Sequence, residues 1–200
     1  MKKTISQILL IALLSGCAAQ KIDQNTSRPE QGDAIIVLGV TPDSAVPAIF
    51  KGTETGGGFL RKSELGINPA KTTNGYQVFR AQSGEVYGLT QIMMMYGLVS
   101  DSYLSCDGSE TTTFQPRDGE VLYLGHFNFK VEQSKLNMSV KNDMASASAF
   151  VDQNYPKLSG KLKKAKLTAM PSKEACSKLI ILPAGKGGRG MMILEMDTVK

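Results

Sequence analysis

Short apolar segments rich in β-branched residues recur about every ten residues along this chain, separated by turns that contain glycine or proline. Ala34–Val40 is a continuous apolar run of the kind found in a strand buried on both faces. Leu136, Met138 and Val140 alternate with polar residues, which is typical of a half-buried strand. The pattern predicts a mainly β fold, specifically an antiparallel β-sandwich of about seven to nine strands.

The hydrophobic period changes once, after residue 141. Asn142 or Asp143 can cap a helix, and alanines followed by Phe150 and Val151 then recur at helical spacing. Pro156 ends this pattern because a proline cannot continue a helix at that position. The sequence therefore predicts one late α-helix over about 143–155.

Three features predict how neighbouring strands connect or pair. Residues 75–81 and 85–92 flank Ser83-Gly84, which predicts that these two strands pair as a hairpin. In the long apolar segment 120–132 the buried positions change phase near Gly125. One extra residue in a strand produces such a change, so we expect a β-bulge at Gly125. A turn near Ser134 predicts a second hairpin, between this strand and 135–141.

The first residues have the three parts of an export signal. Lys2 and Lys3 form a basic start, and the mostly apolar Ile5–Leu14 follows. Spanning a bilayer takes about 20 apolar residues, so this run is too short to do so and fits the hydrophobic part of a secretory signal. Small residues then precede Cys17.

Leu14-Ser15-Gly16-Cys17 resembles the lipobox of bacterial lipoproteins. The resemblance implies cleavage before Cys17, attachment of a diacylglyceryl group to its thiol, and acylation of the new amino terminus with palmitate-type chains. An ordinary secretory signal with an incidental cysteine is the alternative. Ala18, where an aspartate often marks inner-membrane retention in that family, resembles the outer-membrane pattern.

The predicted organisation has three parts. Residues 1–16 are a lipoprotein signal peptide, 17–32 are the lipidated amino terminus with a polar, flexible tether, and 33–200 form a single β-sandwich domain. Removal of 1–16 leaves 21 basic and 18 acidic residues, a net charge of +3. That excess is too small to indicate a nucleic-acid partner, and the export signal also argues against one.

Two cysteines remain once Cys17 is assigned to lipid. In an oxidising compartment, Cys106 and Cys176 are expected to form a disulfide. Two free buried thiols are the first alternative. A metal site is the second, although two isolated cysteines do not support one.

Thr113–Gly125 also resembles a strand-turn-strand segment of uncharacterised proteobacterial periplasmic lipoproteins of β-sandwich type. In that group a proline-glycine turn feeds a strand that ends in tyrosine, a hydrophobic residue and glycine, as in Tyr123-Leu124-Gly125 here. The resemblance implies a β-sandwich and carries no known active site.

Four features have the composition of a chemical site without its spacing. His126 is the single histidine and has no Gly-x-Ser-x-Gly partner motif, so a hydrogen-bonded or surface role is expected. Met93–Met95 could bind Cu(I), but consecutive strand residues point to opposite faces, so packing is expected.

Asp107–Glu110 lacks the spacing of a calcium loop, and Gly185–Gly190 lacks that of a P-loop. The sequence predicts no catalytic residue, metal site or cofactor.

A basic cluster is the candidate binding feature. Five lysines lie within ten residues and could contact an anionic lipid or cell-wall surface, or an acidic partner: Lys157, Lys161, Lys163, Lys164 and Lys166. A solvated face that follows the helix is the plainer interpretation.

These features favour a membrane-anchored envelope lipoprotein that binds or scaffolds another envelope component without catalysis. The membrane is contacted through the Cys17 lipid anchor, and the further partner is an envelope protein or an anionic cell-wall or lipid surface. The alternatives are an enzyme or enzyme accessory acting on cell wall or lipid, built from residues distant in sequence, and a small-ligand or metal carrier.

Overall fold

The computed structural model describes residues 22–62, 66–67, 72–97, 99–133, 135–176, 178–182 and 192–196, the last two as backbone only. Within them lie thirteen strands, the helix α1 (Met144–Asn154) and a 3₁₀ turn at Pro156–Leu158. The strands are β1 (Asp33–Thr41), β2 (Ala45–Thr55), β3 (Gly58–Arg61), β4 (Tyr76–Gln82), β5 (Val86–Tyr96), β6 (Val99–Leu104), β7 (Glu110–Phe114), β8 (Val121–Glu132), β9 (Lys135–Lys141), β10 (Leu162–Lys164), β11 (Thr168–Pro171), β12 (Lys178–Leu182) and β13 (Met192–Met196).

Eleven of these strands form two sheets. The first sheet has the order β10-β8-β1-β4, and β9 pairs with the second half of β8. The second sheet has the order β11-β7-β5-β2-β3, and β6 pairs with the second half of β5. Strands β12 and β13 pair with each other. The pairs β1–β8 and β8–β10 are parallel, and the other pairs in the two sheets are antiparallel.

Strand β1 lies at the centre of the fold, as its apolar sequence predicts. Ile36 and Leu38 point into the core between the two sheets, whereas Ile35 and Val37 point to the opposite face of the first sheet. Helix α1 covers that opposite face with Ala147, Phe150 and Val151. Complete burial of each large aliphatic side chain stabilises the fold by roughly 1.5–3 kcal/mol. The molecule therefore has three layers, with the first sheet in the middle.

The second sheet curls until its two edges nearly meet. Phe59 of β3 forms a bridge with Ser172, just after β11, and the Lys173 N–H donates to the Phe59 carbonyl over 2.8 Å. The Phe59 ring fills the interior, where Gly52 and Gly88 leave room for it. The curl gives this sheet the form of a small, almost closed barrel.

The predicted fold class is confirmed: the protein is a mainly β sandwich with a late helix. The first sheet is mixed rather than wholly antiparallel as predicted, because β1–β8 and β8–β10 pair in parallel. The two sheets contain eleven strands rather than seven to nine, counted over the part of the chain that the structure describes. The pattern did not reveal β6 or β10, because both are short edge strands with mostly exposed, polar side chains. Strand β6 forms by backbone pairing with β5, and β10 forms by backbone pairing with β8. Backbone hydrogen bonds do not require alternating apolar side chains, so the sequence shows no strand pattern there.

Helix α1 occupies the predicted range, and Asp143 caps it by accepting a hydrogen bond from the Ser146 N–H over 3.2 Å. The bulge at Gly125 is also confirmed. Leu124 and Gly125 together lie opposite Leu38, since the pairing of β1 with β8 shifts by one residue there. The hairpin of β8 with β9 is confirmed as well.

The predicted hairpin across Ser83-Gly84 is wrong. Strand β4 pairs with β1 in the first sheet, whereas β5 belongs to the second. The turn instead carries the chain from one sheet to the other, and Tyr87 Oη accepts a hydrogen bond from the Gln82 N–H at 2.8 Å across it. Short turns and alternating residues occur in both kinds of connection, so local sequence does not distinguish them.

The segment predicted to be a flexible tether contacts the domain from Ile22 onward. Ile22 is 1% exposed and packs into the core beneath helix α1. Further along, Lys161 Nζ donates to the Ser27 carbonyl over 2.7 Å, and the Gly32 N–H donates to Asp118 Oδ1 over 2.7 Å. The predicted boundary at residue 33 is therefore too late, because one buried isoleucine in a polar stretch gives no periodic signal.

Candidate functional site

A polar cleft of about 750 Å³ opens between the two sheets, near the start of β1. Two segments form its main walls: the turn between β7 and β8, and the chain that follows β10. The residues that line it are Glu54, Ser83, Gly84, Val86, Phe114, Gln115, Pro116, Arg117, Asp118, Glu120, Leu122, Lys164, Ala165, Lys166 and Thr168.

The first wall is held by hydrogen bonds to the neighbouring turn. The Gly84 N–H donates to the Pro116 carbonyl over 2.9 Å, and Gln115 Nε2 donates to the Gly84 carbonyl over 2.8 Å. These bonds join the connection between β4 and β5 to the connection between β7 and β8. Both connections cross between the sheets, so one backbone bond and one side-chain bond hold the two crossings together at this wall.

Two carboxylates in the first wall are engaged with backbone. Glu120 Oε2 accepts from the Arg117 N–H at 3.0 Å, and Asp118 Oδ1 accepts from the Gly32 N–H. The side chain of Arg117 is exposed at the cleft. The turn therefore brings an exposed arginine to the cleft, while Glu120 stabilises the backbone of the turn and Asp118 binds the segment before β1.

The second wall carries two of the predicted lysines. The Ala165 N–H donates to the Tyr123 carbonyl over 2.9 Å, which attaches this segment to β8. Ala165 is buried between the sheets, while Lys164 and Lys166 on either side of it are exposed and line the cleft. The same segment also borders a smaller hollow of about 370 Å³ beside Gly125. The cleft thus brings together three cations from two distant parts of the chain.

The structure divides the five-lysine cluster. Lys161 lies beside the amino-terminal segment, where it donates to Ser27, and Lys157 lies in the 3₁₀ turn after helix α1. Lys163 is exposed on β10 opposite Leu122 and is not among the residues that line the cleft. Neighbouring strand residues point to opposite faces, so a cluster in sequence does not form one patch in space.

His126 lies at the other end of β1. Its Nε2 is 2.7 Å from Thr41 Oγ1, and its ring meets that of Tyr76 edge-on with 5.7 Å between the ring centres. The pKa of the nearby Asp143 is lowered, chiefly by the hydrogen bond from the Ser146 backbone N–H, with a smaller contribution from His126. This arrangement fits the hydrogen-bonded strand histidine that the sequence predicts.

The methionine run follows the packing interpretation. Met94 is buried in the core between the sheets, whereas the next residue, Met95, is 41% exposed. Their sulfur atoms point to opposite faces of β5 and so do not converge. Within the described ranges, no group of three or more His, Cys, Asp or Glu side chains is placed to hold a metal ion.

Cys106 and Cys176 lie within disulfide distance, as predicted, with their Cα atoms 5.0 Å apart. The nearby acidic segment serves as a turn: Asp107 Oδ1 accepts from the Cys176 N–H at 3.3 Å, and the Cys106 N–H donates to Ser109 Oγ over 2.7 Å. The calcium-like composition of Asp107–Glu110 is therefore explained by local hydrogen bonding beside the cysteine pair.

A second large hollow, of about 550 Å³, lies between β5–β6 and β9 and is mainly apolar. Leu104 and Met138 are partly exposed at it, and the side chains of Tyr103 and Leu136 pack from it onto the core. Sequence reasoning did not predict this hollow, because β6 carries no apolar period.

Arg117 was also missed as a cleft residue. The proline-glycine turn that contains Arg117 is predictable from the sequence. Residues 117 and 164 are too far apart in the chain to form a recognisable motif, so their meeting in one cleft is not predictable.

Cys17 and Gly185–Gly190 lie outside the described residues. Strands β12 and β13, which precede and follow this segment in the sequence, pair antiparallel. Among the helices of the described part of the chain, none is long and apolar enough to cross a membrane.

The fold and the cleft define a class: a β-sandwich protein with a cysteine pair at disulfide distance and a charged inter-sheet cleft. A scan against protein-family models and searches of curated proteins and of solved structures found no match to the chain.

Proposed function

We propose that this chain is a membrane-anchored lipoprotein of the cell envelope whose folded domain binds another envelope component without catalysing a reaction. The signal-like first 16 residues and the lipobox-like residues around Cys17 support the anchor. The Cys106–Cys176 pair fits an oxidising compartment such as the periplasm. Ala18 favours the outer membrane over the inner one.

The observation that carries the binding role is the meeting of Arg117 with Lys164 and Lys166 in one cleft. Three exposed cations on two backbone-fixed walls suit a ligand that carries carboxylate or phosphate groups. Three carboxylates also line the cleft, those of Glu54, Asp118 and Glu120, and they favour a ligand that offers hydrogen-bond donors beside its acidic groups. We propose an anionic polymer of the envelope as the ligand class.

The anchor is tested by metabolic labelling with radioactive palmitate, followed by membrane fractionation. The wild-type chain should incorporate label and sediment with membranes, and Cys17→Ala should do neither. A Cys17→Ala chain that still carries label would contradict the lipobox interpretation.

The cleft is tested with the mature chain carrying Cys17→Ala, which removes the acylated thiol. Its binding to isolated peptidoglycan, a polymer rich in carboxylates, is measured by co-sedimentation at low and high salt. Lys164→Glu with Lys166→Glu should weaken binding about tenfold, since two favourable ion contacts become repulsive. Lys157→Glu with Lys163→Glu changes the charge equally outside the cleft and should have little effect. Equal losses in both variants would contradict a role for the cleft.

A further inference from the structure

The lipid anchor and the folded domain are separated by very little chain. Ile22 is buried beneath helix α1, in contact with the cluster that contains Phe150 and Leu158. If Cys17 carries the lipid, only five peptide units join it to this fixed point. At about 3.3–3.6 Å per residue, they reach at most about 18 Å. The sixteen units of a free tether from Cys17 to Asp33 would reach about 55 Å.

This short connection decides which part of the domain can approach the membrane. Ile22 shares a surface hollow with Asn25 on its own segment and with Asn154 and Tyr155 at the end of helix α1. Residues 22–28 and 153–161 thus form one surface, here called the anchor face. It lies on the outer side of the first sheet, whereas the barrel-like second sheet lies across the core.

The charges of the anchor face suit an anionic lipid surface. Arg28, Lys157 and Lys161 are exposed on it. Asp23 is the exposed carboxylate within these two ranges, and Asp152 is exposed beside them on helix α1. Lys157 and Lys161, which the sequence groups with Lys164 and Lys166 in one basic cluster, thus belong to a different surface from the cleft. Cations near an anionic bilayer are attracted to it within a Debye length.

We infer that the anchor face is turned towards the membrane, so that the lipidated protein lies with helix α1 against anionic headgroups and the second sheet directed away from them. The inference rests on the proposed lipidation of Cys17 and adds the orientation and distance of the domain. We propose that the anchor face contacts the same membrane into which the lipid on Cys17 inserts.

The test uses the full-length lipidated protein in vesicles that contain phosphatidylglycerol and an acceptor-labelled headgroup. Because Cys106 and Cys176 are paired, a single added cysteine can carry the donor dye. Gln153→Cys places the dye on the anchor face, and Thr55→Cys places it at the hairpin of the second sheet. Energy transfer to the headgroups should be at least about threefold greater from position 153, given the reach of five peptide units.

A longer connection provides the matched control. Insertion of about fifteen Gly and Ser residues between Gln20 and Lys21 should bring the transfer ratio between the two positions close to one, because the domain can then rotate freely. Charge reversal by Lys157→Glu with Lys161→Glu should lower the ratio in the native connection.

Palmitate labelling of the same preparations separates the hypothesis of a lipid anchor at Cys17 from the hypothesis about the orientation of the domain. Labelled protein with equal transfer from both positions would overturn the orientation while leaving the anchor intact. Failure to incorporate palmitate at Cys17 would overturn the anchor and the orientation together.

Discussion

The ring of Phe59 lies so close to Gly88 that a methyl group at that glycine would come within 2.6 Å of ring atom Cε1. Phe59 is completely buried inside the second sheet, and Gly52 meets the same ring from the neighbouring strand. Two glycines on paired strands therefore form the space that one aromatic side chain fills. The backbone of the same Phe59 forms the bridge with Ser172 that brings the two edges of the sheet together.

Gly88→Ala should destabilise the protein by roughly 1–3 kcal/mol, since an added methyl overpacks the site. The free energy of unfolding in urea measures the effect. In a Phe59→Leu background the same change should cost less, because the smaller side chain leaves room. An equal cost in both backgrounds would show that the ring is not the cause.

Gly125→Ala should be costly for two reasons. Gly125 has a φ of +120° at the bulge, and an added Cβ would meet Val140 Cγ1 at 2.6 Å. Together, strain and overpacking should lower the free energy of unfolding by about 2–4 kcal/mol. Gly119→Ala is the control, because Gly119 also has positive φ but no atom lies within 4 Å of the added Cβ. Its cost should be only about 1 kcal/mol.

Loss of the cysteine bridge should be among the most destabilising changes. The bridge joins residues 70 apart in sequence. In the chain-entropy model, closing such a loop stabilises the folded state by about 4 kcal/mol. Cys106→Ser with Cys176→Ser should lose about that amount in urea unfolding, and reductant should lower wild-type stability similarly. Two titratable thiols in the denatured, unreduced wild type would contradict the bridge.

Alkaline pH should unfold the protein through its buried tyrosines. Burial raises the pKa of both Tyr87 and Tyr123 from 10.0 to about 12. Above pH 10 the unfolded chain loses these protons while the folded chain retains them, so stability is full below pH 10 and is lost as pH rises towards 12.

The check is urea unfolding at a series of pH values between 9 and 12. Tyr123→Phe should reduce the loss of stability in this window, because phenylalanine has no proton to release. A pH dependence that is unchanged in Tyr123→Phe and in Tyr87→Phe would assign the alkaline transition to other groups.

Much of the local structure was predictable from short-range pattern. The strand from Asp33 to Thr41 follows from its continuous apolar run, and the helix after Asp143 follows from its capping residue and helical spacing. The bulge at Gly125 follows from the change of phase in the buried positions of that strand. In these cases the residues that determine the structure are neighbours in the chain, or alternate along one element. The pairing of Cys106 with Cys176 was predictable from the number of cysteines and from the oxidising compartment that the signal-like first residues predict.

The candidate site was predictable only in part. Lys164 and Lys166 were named from the sequence, but the same reasoning grouped them with Lys157 and Lys161, which lie elsewhere. Arg117 joins the cleft because β7 and β8 belong to different sheets, so that their connecting turn crosses between them. No local pattern records which strands become neighbours.

The class of the fold, the positions of its central strands and late helix, and the features around Cys17 that predict an anchor can all be read from local sequence. They depend on the period of buried side chains and on short motifs, which are local properties. Three further features follow only from the folded structure: β4 and β5 belong to different sheets, the lysines lie on two surfaces, and Ile22 is part of the core. Those outcomes depend on which distant segments bury each other, because packing free energy is gained between residues far apart in the chain.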